Sequence, residues 1–424
     1  MEFDWVGLEE VLGHQIVGLV RRVREEHPRD RLYGAAVHMF YAEEGGTISW
    51  TLVSVASEEW LAETKCETGT GTSGADWLRW SPADWPWQVD PGEAEDEWAR
   101  RLAAHATADG GRRWDEVHDR YLRTVVAVCR SARHRLVTEG VVDPNFVVVA
   151  MDEAWELVPL SLTPDEVVRH FPELAAEERE AERLGAIAPE RRAHELIAIV
   201  ESPVPGPLSA ERATDVLRAL SGPTTLAAVL DHLPGAREKW RWAKLLAEIA
   251  PAATPGAPQA VIAALEPVMT DTSLPEPDRA WAAAALARLD RMDLVAARLD
   301  RLPEGVAVRG LTAPYTSFRD HGAHGGLDYE PLEQALADRP EWHDAVLRRL
   351  SPGSGFCAIG PEEVETALAG LGSTLPVVRR HAVHVLADAP TTPAQRARYT
   401  DRLRRLRRED PHPAVREAAA LAGR

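Results

Sequence analysis

The sequence predicts an α+β N-terminal domain, a small mostly antiparallel sheet with helices, followed by an all-α solenoid of stacked helical pairs. Two observations carry this. Pro-x-Val-Arg-x-x-Ala occurs at Pro376-Val378-Arg379-Ala382 and again 37 residues later at Pro413-Val415-Arg416-Ala419. A unit of about 40 residues that begins this way and runs into an Ala/Leu-rich helix is the signature of a stacked helical array. Upstream, by contrast, Ile48, Trp50 and Leu52 alternate with Thr47, Ser49 and Thr51, a strand period absent from the second half. The division expected is 1–175 as an acidic, Trp-rich α+β domain, 176–208 as a helical and Pro-rich connector, and 209–424 as the array.

Charge follows the same division. The whole chain carries −19, but residues 1–175 hold 32 Asp/Glu against 17 Lys/Arg. An acidic domain repels phosphate backbones and anionic lipid and attracts basic protein surfaces. Cys66, Cys129 and Cys357 lack CxxC spacing and read as isolated thiols in a reducing compartment. With no basic n-region and no stretch approaching a membrane span, the expected location is cytoplasmic, with no membrane partner.

In the first domain Trp5, Leu8, Leu12, Ile16, Leu19 and Val23 fall at helical spacing, ending before Pro28. A β-hairpin with one buried face is expected from 32–41 through the turn Glu44-Gly45-Gly46 to 48–52. Ser57 is placed to cap a short helix carrying Trp60. The Gly/Thr-rich loop 68–74 has no Lys partner and no phosphate-loop pattern, so it reads as a plain loop. Trp114, Val117, Tyr121, Val125, Val128, Ala132 and Leu136 define a long helix ending near Gly140. Two strands, 146–151 and 155–160, are expected to close the sheet. Thr163-Pro164-Asp165-Glu166 is a capping box that starts another helix.

The segment Arg79-Trp80-Ser81-Pro82-Ala83-Asp84-Trp85-Pro86-Trp87 reads as a one-turn helix start that Pro86 terminates. Ten of the 14 tryptophans lie within the first 155 residues, either as an aromatic recognition surface or as plugs of a small core. Flanked by proline and acid, Trp85 and Trp87 are expected to be the exposed ones. With its opening helix, the 33–40 strand, Trp80-Ser81-Pro82-x-x-Trp85 and the long helix, the region resembles the bacterial domain of unknown function 4303. That resemblance implies a small cytoplasmic protein and no assigned activity; some neighbouring families belong to toxin–immunity systems.

Past the Pro-rich stretch 202–207, helices are predicted over 209–220, 224–233, 237–250, 258–269, 277–289, 291–301, 331–338, 341–350, 361–371, 376–388, 393–409 and 413–422. Arg279-x-x-Ala282 and Arg241-Trp242-Ala243 echo the motif. Together with the two C-terminal copies they resemble HEAT-type repeats, degenerate and interrupted between 310 and 360. In such a unit Pro starts the helix, Val and Ala pack on the neighbouring pair, and Arg reaches an acidic group on the next repeat.

No catalytic, cofactor or metal motif stands out. His321, His324 and Asp328 lie within eight residues of one another, with His343 and Asp344 further on, but glycines leave them unfixed. The favoured class is a non-enzymatic protein-interaction module, an immunity- or antitoxin-like protein or a scaffold, binding a basic protein. Its candidate contacts are Trp80, Trp85, Trp87, Glu93, Glu95, Asp96, Glu97, Asp152 and Glu153. One alternative is an enzyme with an unrecognised carboxylate site, Glu43/Glu44 or Asp152/Glu153. The other is nucleic-acid binding through the arginines between 396 and 408, which the overall charge disfavours.

Overall fold

The computed structural model describes residues 3–43, 46–67, 76–351 and 355–423. The chain divides into two compact units, Met1–Ala176 and Glu177–Arg424. The 68–74 stretch, and Glu44 and Gly45 of the expected turn, lie outside the described residues.

In the first unit the periodic apolar stripe gives the helix Trp5–Glu26, with all six stripe residues buried. The Asp4 carboxylate caps it by accepting from the Gly7 N–H at 3.0 Å. Six strands follow in chain order: β1 (Leu32–His38), β2 (Ala42–Glu43), β3 (Thr47–Ile48), β4 (Leu52–Ser57), β5 (Trp87–Val89) and β6 (Val147–Met151). β2 and β3 pair with each other, and the other four form a sheet in the order β5-β4-β1-β6. β1 runs antiparallel to β4 and parallel to β6, while β4 runs antiparallel to β5. The sheet is therefore mixed, because β6 returns beside β1 through the crossover helix Trp114–Thr138.

The expected hairpin with one buried face is corrected. All seven residues of β1 are buried, because both faces of the sheet are covered. Ala35, Val37, Val53, Val55, Val148 and Ala150 share a core with the helices Trp5–Glu26 and Trp114–Thr138. On the other face Ala36, Ala56, Val147 and Val149 pack with Leu61, Trp80, Trp85 and Phe171. The Ser57 hydroxyl accepts from the Trp60 N–H at 3.1 Å, as a cap should. Thr163 and Glu166 form the capping box of the helix Pro164–His170.

Two further expectations are corrected here. Residues 155–160 form no strand. Asp152 instead accepts from the Leu157 N–H at 2.8 Å, Trp155 takes a φ of 61°, and Pro159 enters the short helix Val158–Ser161. A proline cannot donate to a sheet ladder, so the turn wins. Trp85 is not exposed but buried at 2%. The Ser81 hydroxyl donates to Asp84 at 2.6 Å and sets a tight turn at Pro82–Asp84. That turn folds Trp80 and Trp85 back onto the sheet, each ring edge-on to Tyr33 at 5.7 Å.

The second unit is a succession of helices on one continuous apolar core reaching from Leu184 to Ala419. The stretch 176–208, read as a connector, contributes Leu184, Ala193, Leu196, Ile197, Val200 and Leu208 to that core. At its centre the helix Glu276–Arg288 is buried almost all round. Its alanines let the helices Lys239–Ala253, Ala257–Thr270 and Glu304–Thr312 close in on it. Glu304–Thr312 had no counterpart in the helix prediction, and Gly305 and Gly310 explain why, since glycine weakens the helix signal. A β-carbon at Gly310 would stand 2.9 Å from Val295 and 3.1 Å from Ala283, so packing demands the glycine. The expected 291–301 and 361–371 helices shorten to Met292–Ala296 and Val364–Gly370.

Both copies of the motif make the same reach. The Arg379 guanidinium donates to the carbonyls of Ser373 and Thr374 at 2.8 and 3.0 Å. Arg416 donates to those of Asp410 and Pro411 at 2.7 and 3.0 Å, six and five residues upstream in each case. Arg379 adds a two-pronged bond to the buried Asp410 carboxylate, at 2.7 and 2.9 Å, in the loop that opens the next copy. Val378, Ala382, Val415 and Ala419 are buried, while Pro376 and Pro413 open their helices. Upstream, Arg279 reaches the Met269 carbonyl at 3.1 Å and Arg241 pairs with Glu238, so the geometry is not repeated there.

Behind the last copies lies a closed polar network. The His381 Nε2 donates to the Tyr315 carbonyl at 2.9 Å, and its Nδ1 accepts from the Tyr329 hydroxyl at 2.7 Å. Burial pushes this imidazole down to about 3.

Arg379→Ala should destabilise the second unit by about 3–5 kcal/mol, because Asp410 is left buried and unpaired; the denaturant midpoint reads this directly. Neutral His381 contributes in full above pH 6.5 and less as pH falls toward about 3. Calorimetry should therefore show up to about 3 kcal/mol lost between pH 6.5 and 4 through this residue. His381→Gln should flatten that slope.

Candidate functional site

Among the described residues, a cleft in which polar groups converge from several elements is the candidate site. It lies in the second unit, has a volume of about 620 Å³, and is bounded by the end of the helix Glu276–Arg288, the helix Met292–Ala296, the 324–328 loop and the helix Glu330–Leu336. Such a volume suits a small ligand or a buried side chain. Its lining mixes the apolar Met292, Ala296, Pro314 and Ala335 with the polar Asp290, His324, Asp328 and Gln334.

Asp290 stands at the point where the central helix ends. Its φ of 60° is left-handed, and the Arg291 N–H closes the helix by donating to the Leu286 carbonyl at 2.9 Å. A β-carbon on Gly325 would stand 3.5 Å from the Asp290 Oδ1, which places that carboxylate against the glycine loop. Desolvation by the cleft, and then the neighbouring Asp328 charge, push the Asp290 carboxyl above its ordinary value. Asp328 accepts from the Glu330 N–H at 2.9 Å, and Asp293 is held by Arg291 at 2.8 and 2.9 Å.

Two buried arginines fix the loop that forms the wall. Arg288 donates to the carbonyls of Ala247 and His321. Arg319 donates to the Gly325 carbonyl at 3.1 Å and the Ala358 carbonyl at 3.0 Å, and pairs with the buried Glu363 carboxylate. Glu363 in turn accepts from the Leu327 N–H at 2.6 Å and the Gly360 N–H at 2.9 Å. Gly322, at φ 74°, presses so close to the Glu248 carbonyl that a β-carbon would stand 2.6 Å from its oxygen. The wall is thus set by the fold before anything binds.

Of the candidate metal residues, His324 and Asp328 line this cleft, whereas exposed His321 is not part of its lining. His343 bonds the Leu336 carbonyl at 2.9 Å. Among the described residues no group of three His, Cys, Asp or Glu is placed to hold a metal ion. The helical rhythm gave no hint of Asp290. Its one signal is an aspartate at the helix-ending position where glycine or asparagine is usual.

The residues expected to contact a partner are dispersed within the first unit. Trp80 and Trp85 are core residues. Trp87 is half-buried, its ring 4.7 Å from that of His27. Glu93, Asp96 and Glu97 stand exposed at the start of the helix Glu93–Ala106, while Glu95 caps it by accepting from the Gly92 N–H at 3.0 Å. Glu153 is exposed, but Asp152 is occupied by the 152–157 turn. Of the pair Glu43/Glu44, Glu44 lies outside the described residues. The arginines at 402, 405 and 407 are exposed on the helix Pro393–Glu409, and Arg398 pairs with Glu365 at 2.9 Å.

Asp290→Asn should stabilise the second unit at neutral pH, since a raised carboxyl pKa means the folded state disfavours the charge. The aspartate's contribution is full below its ordinary 3.8 and is lost as pH rises through the raised folded value. The gain from asparagine, read as a rise in Tm, should therefore vanish below pH 3.8.

No model of a known protein family matches the chain, and no curated protein matches it.

Proposed function

We propose that the chain is a protein-interaction module without chemistry of its own, which binds a basic protein in the cytoplasm. In this reading the second unit is a HEAT-like solenoid and the first an acidic domain related to the bacterial domain of unknown function 4303. The shared reach of Arg379 and Arg416 supports the repeat. An immunity-like role fits, because covering a partner's surface needs complementary shape and charge and no reacting groups.

The observation that carries the reading is the cleft, where Asp290 faces a preset space and its ionisation is opposed by desolvation and then by repulsion from Asp328. A cationic group from a partner relieves that repulsion. The exposed Glu93, Asp96 and Glu97 supply a second acidic surface in the first unit. No helix of the described residues is long and apolar enough to cross a membrane.

Full-length chain used as bait in its native lysate should retain a basic protein. Its affinity should fall steeply between 50 and 500 mM salt, by roughly tenfold or more, as screening removes long-range attraction. Replacing Glu93, Asp96 and Glu97 with lysine should slow association of that protein. Salt-independent capture, or capture of acidic proteins only, contradicts the reading.

A further inference from the structure

The cleft has a more specific chemistry than general acidity. Its lining combines small or unbranched apolar groups, Met292, Ala296, Pro314 and Ala335, with two carboxylates, Asp290 and Asp328, that the fold leaves differently occupied. Asp328 spends one oxygen on the Glu330 N–H. Arg288 and Arg319, the two cations of the lining, are engaged with loop carbonyls and with Glu363 and do not neutralise Asp290. An occupant that complements both kinds of lining has an aliphatic stem and a single cation at its end.

We infer that this cleft is a seat for an alkylguanidinium or alkylammonium group, its stem along Met292, Ala296 and Ala335 and its charge between Asp290 and Asp328. The inference rests on the interaction-module reading only in that a partner's arginine or lysine would be the natural source; a free amine has the same chemistry. A guanidinium gains most, since its planar fork can meet two carboxylates at once. Desolvating the pair costs less here than in a closed core, because both aspartates remain exposed at the mouth. The wall need not form on binding. Arg288, the Arg319–Glu363 pair and Gly322 already hold it, so little ordering entropy opposes the ligand.

Calorimetric titration of the full chain tests this with three probes: butylguanidinium, acetyl-Gly-Arg-Gly-amide and butylurea, the uncharged isostere of the first. Butylguanidinium or the peptide should bind, and butylurea should bind at least about tenfold more weakly, as expected when a charge-assisted contact is lost. Asp290→Asn should weaken the charged probes by a similar factor. It leaves the backbone intact, because asparagine also accepts the left-handed helix end. Asp328→Asn keeps the acceptor for the Glu330 N–H and provides the second variant.

Peptide binding identifies the source as a side chain, and butylguanidinium binding alone identifies it as a free cation; both uphold the seat. Equal binding of butylurea, no binding of either cation, or charged probes indifferent to both variants overturns it. The two proposals fail separately. A basic protein captured while neither charged probe binds removes the seat and leaves the module, whereas probe binding without any captured protein does the reverse.

Discussion

Buried and half-buried arginines that reach onto loop carbonyls are the interaction on which the second unit depends. A stack of short helices leaves the C-terminal carbonyls of each helix, and the loops that follow, in need of donors. Water cannot serve where the next helix covers them. Arginine offers five N–H donors in a fixed fork and does not lose its charge at any relevant pH, so it can satisfy several carbonyls at once. Arg379 and Arg416 do this in the two clear repeats, each at the same distance back along the chain. Arg380 does it for the Leu347 and Leu350 carbonyls at the end of the helix Pro340–Arg349. Arg288 and Arg319 do it where the repeat pattern breaks.

That break is also where the cleft lies. Between residues 313 and 328 the regular alternation of helices gives way to short turns and a glycine-rich loop. Irregular backbone in such a place would ordinarily be mobile, but two guanidinium groups and the Glu363 carboxylate bind it from beneath. Cleft and clamps are thus one construction. The arginines are occupied in holding the wall, and Asp290 and Asp328 at the mouth are left to face the solvent.

Much of this could be read from the sequence, for local reasons. Amphipathic spacing placed the helices Trp5–Glu26 and Trp114–Thr138, and the box at Thr163 placed Pro164–His170, because those signals lie within a few residues of the structure they cause. The two motif copies 37 residues apart placed the helices Pro376–Ala387 and Pro413–Leu421. What escaped depended on distant neighbours. Gly310 reads as a helix breaker until Val295 and Ala283 are seen pressing on it. Trp85 reads as exposed until the turn at Pro82–Asp84 swings it under the sheet. β1 reads as one-faced because its second cover comes from segments as far along as Phe171. The acid pair of the cleft joins residues 38 positions apart, and neither sits in a motif.

The central claim is that the cleft wall is preformed by buried charge. Amide hydrogen exchange of the full chain without any partner tests it most directly, at Leu327 and Gly360, whose N–H groups both donate to Glu363. Preformation predicts protection at these amides comparable to that of the central helix Glu276–Arg288, and its loss in Glu363→Gln. Exchange at the rate of an open loop in the unmodified chain would contradict it.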